Sequence, residues 1–280
     1  MRIDLHMHST GSDGVLTPPQ LVELAASLGV DVMAVTDHDT FVGVEAVRGQ
    51  ALPVALIPGV ELSLRDRRNM HLLGYGWGRH TMLHQAVAEL AEKRVKRAER
   101  MLALLRENGM PLDGAALLAS CGGSVGRPHL ARAMVAAGYV RSVSEAFQRY
   151  LGEGRPCYAA GERLSLAEAL PLMRGSGFVP VLAHPRLMGL GDQTLAALLP
   201  AWQAQGLMGL EVYHPSAQAR GFGPLERMTR RQGLLVTGGS DFHQEGDGHG
   251  LPGCTGDAWT SAAADLTALR AAMGPATDNE

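Results

Sequence analysis

The chain opens on Asp4-Leu5-His6-Met7-His8-Ser9-Thr10-Gly11-Ser12-Asp13-Gly14, with two histidines two residues apart. On a strand, residues i and i+2 point to the same face. His6 and His8 can therefore present two imidazoles to one metal ion, and Asp13 follows on a glycine-flanked loop that can fold back towards them. The same residue types recur in short clusters further on: Thr36-Asp37-His38-Asp39, Gly59-Val60-Glu61, His71, Ala183-His184-Pro185 and Gly239-Ser240-Asp241-Phe242-His243. His6, His8, Asp13, His38, Glu61, His71, His184, Asp241 and His243 make nine nitrogen or oxygen donors and no thiolate. Nine donors exceed the needs of one tetrahedral ion. They suit two to three divalent ions bridged by carboxylates; manganese is the expected ion, with zinc and iron as alternatives.

Most of these donors stand where a strand should end. Val32–Val35 is a short apolar run that delivers His38, and 55–60 delivers Glu61. Phe178–Ala183 delivers His184, and Leu234–Thr237 delivers Asp241 and His243. A further strand, Leu210–Tyr213, delivers His214, read here as a neighbour of the donors. Helical patterns lie between them at 21–29, 41–50, 165–176, 193–205 and 224–232. Strand, helix, strand in this order implies a parallel sheet with helices outside, and ligands gather at the C-terminal edge of such sheets. The one exception is 61–64 and 70–75. Five residues are too few for a parallel crossover, so this pair is expected to be an antiparallel hairpin with Glu61 opposite His71. Seven strands result.

The chain has 280 residues, 46% of them hydrophobic and 35 of them glycine, enough for one large α/β body with many turns. Net charge is −3, so no global field draws nucleic acid. Of the 25 basic residues only Lys93 and Lys96 are lysine. Three scattered cysteines give no disulfide framework. With no leader pattern and no apolar run long enough to span a bilayer, a cytoplasmic protein with no membrane contact and no obligate protein partner is expected.

Residues 81–108 read as one long amphipathic helix whose basic face (Lys93, Arg94, Lys96, Arg97, Arg100) is expected to be solvated or to meet nucleic acid. His80 and His84 at its start are expected to be exposed. His249, in a glycine-rich loop, is left outside the site. From 109 to 155 strand signals vanish and short helices are expected at 112–120, 128–138 and 144–151. This segment is read as a small helical insertion capping the site, with 1–108 and 156–280 forming the main body. Within it, Gly122-Gly123-Ser124-Val125-Gly126-Arg127-Pro128-His129 places glycines and a proline at a helix start, where free N–H groups favour anions. Arg127 and His129 flank that start. Arg155, where the insertion returns, and Arg186 and Arg132 are further candidates for holding phosphate.

With D-L-H-x-H, T-D-H-D, G-V-E, H-x-L-G-Y, A-H-P and G-S-D-F-H in this order, residues 1–75 and 178–243 resemble the PHP (polymerase and histidinol phosphatase) family. The resemblance implies a distorted seven-stranded β/α barrel and a cluster of up to three metal ions held by the nine donors above. Asp13 stands where histidinol phosphatases commonly carry histidine, which argues against that substrate. The V-G-R-P-H insertion narrows the likeness to a bacterial subgroup that removes the 3′-phosphate from nucleoside 3′,5′-bisphosphates, with relatives that act as 5′→3′ exonucleases on short RNA. A metal-dependent phosphomonoester hydrolase acting on a small nucleotide, or on short oligonucleotide ends, is the expected function. Asp241, His243 and Asp13 are its expected catalytic groups, and Arg127, His129, Arg155 and Arg186 its substrate contacts.

Overall fold

The computed structural model describes residues 1–246 and 249–275. Its centre is a seven-stranded sheet: β1 (Ile3–Asp4), β2 (Val32–Val35), β3 (Ala55–Ser63), β4 (His71–Tyr75), β5 (Val179–Leu182), β6 (Gly209–Tyr213) and β7 (Leu235–Gly238), hydrogen-bonded in that order. Neighbours are parallel except at β3–β4 and β4–β5. Past β7 the chain comes back alongside β1. The Leu5 amide donates to the Gly238 carbonyl, the Asp241 amide to that of His6 and the His8 amide to that of Phe242, so the sheet curls into a nearly closed, distorted barrel. Reversed β4 is the useful irregularity. Because it runs against the others, its first residue, His71, lies at the rim where the parallel strands end.

Outside the sheet lie α1 (Pro18–Ser27), α2 (Val42–Glu45), α3 (Met82–Glu107), α4 (Gly114–Ser120), α5 (Arg127–Ala136), α6 (Val143–Ala146, continued by a π-helical turn to Leu151), α7 (Leu166–Gly175), α8 (Asp192–Ala204), α9 (Gly223–Arg231) and α10 (Ala262–Met273). Their starts carry identifiable signals. At α7, Ser165 and Glu168 form a capping box. At α1, Pro18 occupies the first turn and the Gln20 carboxamide accepts from the Thr17 amide.

Two apolar cores result. The first fills the barrel and the space beneath its helices, with Ile3, Leu5, Met33, Ile57, Leu62, Leu72 and Leu210 fully buried. The second unites Leu117, Leu130, Met134 and Leu151 of residues 114–151 with Ala98, Met101 and Leu105 of α3. Helix α3 serves both, through Leu83 and Val87 at its start and Met101 and Leu105 near its end. Burying these side chains stabilises each core by about 1.5–3 kcal/mol per large residue.

Several expectations need correction. The helix expected over 41–50 is only the four residues of α2, because two glycines and three valines in that stretch disfavour helix. Gly43 is also pressed against the Asp37 carboxylate, where a Cβ would come within 1.8 Å. The hairpin is slipped by two residues: Leu73 faces Glu61, and His71 faces Ser63. A slip of two keeps every side chain on its face. The Glu61–His71 contact therefore survives, with His71 Nδ1 2.9 Å from Glu61 Oε1. The basic face of α3 is only partly solvated. Arg94 bonds Asp39, and the Arg97 Nε–H donates to the Ala159 carbonyl. His84 is half-buried and stacked on Phe41, with ring centroids 4.0 Å apart. Helix α10 was not anticipated.

Candidate metal centre

Glu61 is the hub of the rim. Fully buried at the end of β3, its Oε2 lies 3.3 Å from His6 Nε2, 3.3 Å from His8 Nε2 and 2.9 Å from His38 Nδ1. Its Oε1 lies 2.9 Å from His71 Nδ1 and 3.0 Å from His184 Nε2. Asp241 Oδ1 closes the inner side, 3.3 Å from His6 Nε2 and 3.2 Å from His8 Nε2. Asp13 Oδ1 sits 3.3 Å from His243 Nε2, and the rings of His8 and His243 stack at 4.1 Å. All nine expected donors thus meet at one end of the barrel. Their ligand atoms fall into overlapping groups: His6, His8, Glu61 and Asp241; His8, Asp13, His38 and His243; His38, Glu61 and His71.

Whether these residues fit metal ions can be tested on their hydrogen bonds. Nε2 of His6, Nε2 of His8, Nδ1 of His38, Nδ1 of His184 and Oε2 of Glu61 are buried and make no hydrogen bond. Three of these nitrogens, on His6, His8 and His38, lie within 3.3 Å of Glu61 Oε2 yet are misaligned for bonding to it. Buried polar atoms are rarely left unpaired, and cations beside Glu61 Oε2 would pair it and the His6, His8 and His38 nitrogens. The tautomers agree. His6 Nδ1 contacts the Glu211 carboxylate at 2.9 Å, so it carries the proton and Nε2 turns its lone pair inward. His243 Nδ1 is 2.8 Å from the Asp241 carbonyl oxygen, which again leaves Nε2 as the donor atom. The residues fit a cluster of divalent ions.

Electrostatics point the same way. Burial works to raise the Glu61 pKa, but the charges of His38, His6 and His71 outweigh it and hold the carboxyl well below its usual range. Asp241 is depressed against burial chiefly by His6, and Asp13 chiefly by His243 and His38. Burial opposes charge on His8 too, yet the carboxylates of Asp241 and Glu61 beside it push it up to about 10. A field that favours protons on imidazoles between carboxylates also favours a metal cation there, which displaces those protons as it binds.

A second layer fixes the donors in place. Asp37 accepts four hydrogen bonds, from the amides and hydroxyls of Ser9 and Ser12, and so shapes the loop that carries Asp13. Asp4 accepts from the amides of His6, Ser240 and Gly253, joining β1 to the Asp241 loop. Asp39, His184 and Asp241 adopt positive φ (50°, 26° and 55°), a strained conformation that clusters at functional sites. Glu211 and His249 carry no role in the sequence reading, and His214 enters it only as a neighbour of the donors. Glu211 on β6 also accepts from the His184 amide at 2.7 Å. His214 Nδ1 accepts from the Ser216 amide, so its Nε2 carries the proton facing Asp241 Oδ2 at 3.4 Å. His249, set aside above, has Nδ1 3.2 Å from Asp241 Oδ2 and so belongs to the rim.

Two cavities open from the cluster. One of about 360 Å³ is lined by Asp13, His71, Asp241, His243, His249 and Arg132. The other, about 790 Å³, runs from His71 between the hairpin and the insertion, and Arg65, Arg67, Arg68, Arg127, Arg155 and Arg163 line it. Among the described residues, Arg127, Arg155 and Arg163 make no ion pair. Arg127 packs its guanidinium over Phe147 and Tyr158, and burial and then Arg163 lower its pKa. The remaining candidates lie elsewhere. His129 Nδ1 accepts from the Gly126 amide, so this side chain satisfies the helix start itself. Arg186 pairs with Asp192 and lines neither cavity.

Comparison with known proteins finds the family described as PHP domain matching residues 4–156. The chain is 33% identical over 252 residues to a 3′,5′-nucleoside bisphosphate phosphatase of Chromobacterium violaceum, covering 88% of each chain. It is 33% identical over 249 residues to the 5′-3′ exoribonuclease Rnm of Escherichia coli, covering 86% of this chain and 85% of the relative. Among solved structures, an amidohydrolase from Chromobacterium violaceum holding sulfate and no metal superposes with a TM-score of 0.80 at 32% identity, covering 89% of this chain and 90% of the other.

Proposed function

The chain belongs to the PHP domain family, and on that premise we propose that it removes the 3′-phosphate from nucleoside 3′,5′-bisphosphates, leaving the 5′-nucleotide and inorganic phosphate. That it is a metal-dependent phosphate hydrolase follows from the family and from the donor set. The substrate rests on one observation above all: a cleft that begins at His71, on the edge of the metal centre, is lined by six arginines, three of which (Arg127, Arg155 and Arg163) make no ion pair among the described residues. A molecule with one phosphate at the cluster and another several ångströms away fits that layout, and Arg127 and Arg155 are the residues we assign to the second phosphate.

Three overlapping groups would hold the ions: His6, His8, Glu61 and Asp241; His38, Glu61 and His71, with His184 beside Glu61; and His8, Asp13, His38 and His243. Divalent ions there supply Lewis acidity that makes water nucleophilic near neutral pH, with manganese the expected ion. The chain's own residues do the rest. Glu211, Asp37 and Asp4 fix the donors before substrate arrives, so little reorganisation accompanies the reaction. Arg127 orients the distant phosphate, which brings the 3′-phosphoryl group to the rim. The leaving 3′ oxygen requires a proton; the Asp13 carboxyl is held ionised and His243 Nε2 is a donor atom, so in this account the two serve as ligands and water in the smaller cavity they border is the proton source. Asp241 anchors the inner group. In this account residues 109–155 act as the capping subdomain on a barrel built from the described residues of 1–108 and 156–280.

A second reading has its own support. Besides Arg127 and Arg155 the cleft is lined by Arg65, Arg67, Arg68 and Arg163, more cations than one second phosphate requires, and this favours 5′→3′ exonuclease action on short RNA or DNA ends. The deciding experiment is phosphate and nucleotide release by manganese-loaded enzyme from adenosine 3′,5′-bisphosphate, 5′-AMP, histidinol phosphate and a 5′-phosphorylated oligonucleotide. Rapid release from the bisphosphate with 5′-AMP left intact supports the phosphatase. Turnover of the oligonucleotide with the bisphosphate untouched overturns it in favour of the exonuclease.

A further inference from the structure

Arg94 lies on α3, outside the barrel, yet it reaches the loop that carries His38. Its Nε–H donates to Asp39 Oδ2 at 2.9 Å, a second guanidinium nitrogen contacts the same oxygen, and that nitrogen also donates to Ser63 Oγ at 3.0 Å. Asp39 is nearly inaccessible and has φ +50°, a left-handed conformation that a non-glycine residue keeps only when its surroundings enforce it. Its other oxygen accepts from the Ser63 amide at 2.9 Å, and its own amide donates to the Glu61 carbonyl at 2.9 Å. Asp39 thus fastens the loop after β2 to the end of β3. His38 is its immediate neighbour, and His38 Nδ1 faces Glu61 Oε2 at 2.9 Å.

Arg94 also stands at the junction of the two parts of the site. Arg97, Arg127 and Arg163 all feel its charge, so its own neighbourhood is otherwise cationic. Asp39 is the carboxylate that pairs with it among the described residues. A planar fork engaging Asp39 and Ser63 together is a geometry that lysine does not reproduce.

We propose that Arg94 is a positioning residue for the metal centre: through Asp39 and Ser63 it holds the His38 loop against the end of β3, so that His38 meets Glu61, and it thereby sets the affinity of the ion bound through His38. The proposal rests on the metal-centre reading above. Partners that orient a metal ligand typically change metal affinity by about 10- to 100-fold when removed.

The test compares wild type, Arg94→Ala, Arg94→Lys and, as a control elsewhere on α3, Arg100→Ala. Each is titrated with Mn(II) and Co(II), with ions bound per chain counted, the Co(II) visible absorption recorded and folding checked by circular dichroism. Arg94→Ala is expected to fold, to bind its weakest ion at least 10-fold less tightly and to alter the Co(II) spectrum. Arg94→Lys should be intermediate and Arg100→Ala unchanged. If Arg94→Ala does not fold, Arg94→Lys decides, with about a 10-fold loss expected. Wild-type affinity and spectrum in the deciding variant would overturn the proposal. A wild-type chain that binds no divalent ion is a different failure, and refutes the metal-centre reading itself.

Discussion

Replacing Arg127 with alanine should damage catalysis on one substrate and leave the fold nearly untouched. In the free protein this guanidinium has weak partners: the rings of Phe147 and Tyr158 at 5.3 and 5.8 Å, and the Leu151 carbonyl at 3.5 Å. Each ring contact is worth roughly 0.5–1 kcal/mol. Removing a cation that Arg163 and Arg94 repel offsets part of that loss, and no carboxylate is orphaned. The net stability change should therefore stay within about 1 kcal/mol, or about 2–4 °C in Tm. Catalysis is different. A hydrogen bond to a charged phosphate contributes about 1.5–3 kcal/mol, which is roughly 10- to 150-fold in kcat/KM. The assay follows phosphate release from adenosine 3′,5′-bisphosphate and from 3′-AMP, which lacks the 5′-phosphate. Arg127→Ala should lose that factor on the bisphosphate and little on 3′-AMP. An equal loss on both substrates, or none on either, would refute the assignment of Arg127 to the second phosphate.

Two other substitutions test the frame. Gly239→Ala would place a Cβ 2.4 Å from His6 Cβ and 2.6 Å from the His6 amide nitrogen, contacts with no flexible end to yield. Overpacking of this kind costs about 1–3 kcal/mol, so thermal melts should show a fall in Tm of roughly 2–12 °C together with weaker Mn(II) binding; an unchanged melt and titration contradicts the packing. Glu168 accepts from the Ser165 amide, the Arg65 guanidinium and the Ser165 hydroxyl, bonds that lower its pKa from 4.5 to about 2. A depressed carboxyl pKa stabilises the fold above the ordinary value and loses that contribution as pH falls towards the folded value. Urea titrations should therefore show Glu168→Gln less stable than wild type at pH 6, with the gap narrowing at pH 3; a gap that widens on acidification reverses the sign and rejects the cap.

The sequence shows where the donors sit because strand ends are visible as apolar runs that stop at a histidine or a carboxylate. Val32–Val35 stopping before His38 and Leu235–Gly238 stopping before Asp241 are examples, and the period-2 pattern tolerated a two-residue error at His71 without losing its contact with Glu61. What was hidden is tertiary. Glu211 lies inside the strand Gly-Leu-Glu-Val-Tyr, where neighbouring apolar residues make it read as ordinary; a lone acid in a buried strand is the available signal, since burying a charge is costly without a partner. His249 sits in a loop with no periodicity, so nothing local ties it to Asp241. Arg94 and Arg97 occupy the polar face of an amphipathic helix, and only the folded position of residues 109–163 shows that this face is partly covered. His84 was misread because its stacking partner, Phe41, is 43 positions away.

The central claim is that the rim around Glu61 binds divalent ions and that phosphoester hydrolysis depends on them. Its most direct test is metal content per chain and phosphate release from adenosine 3′,5′-bisphosphate, measured side by side for wild type and Glu61→Gln after chelation and reloading with Mn(II). Two or more ions per wild-type chain are expected, with activity lost on chelation and restored on reloading. Glu61→Gln should hold at least one ion fewer and lose most of its kcat. A chelated wild type that stays active, or a Glu61→Gln variant with full metal content and full activity, would contradict the account.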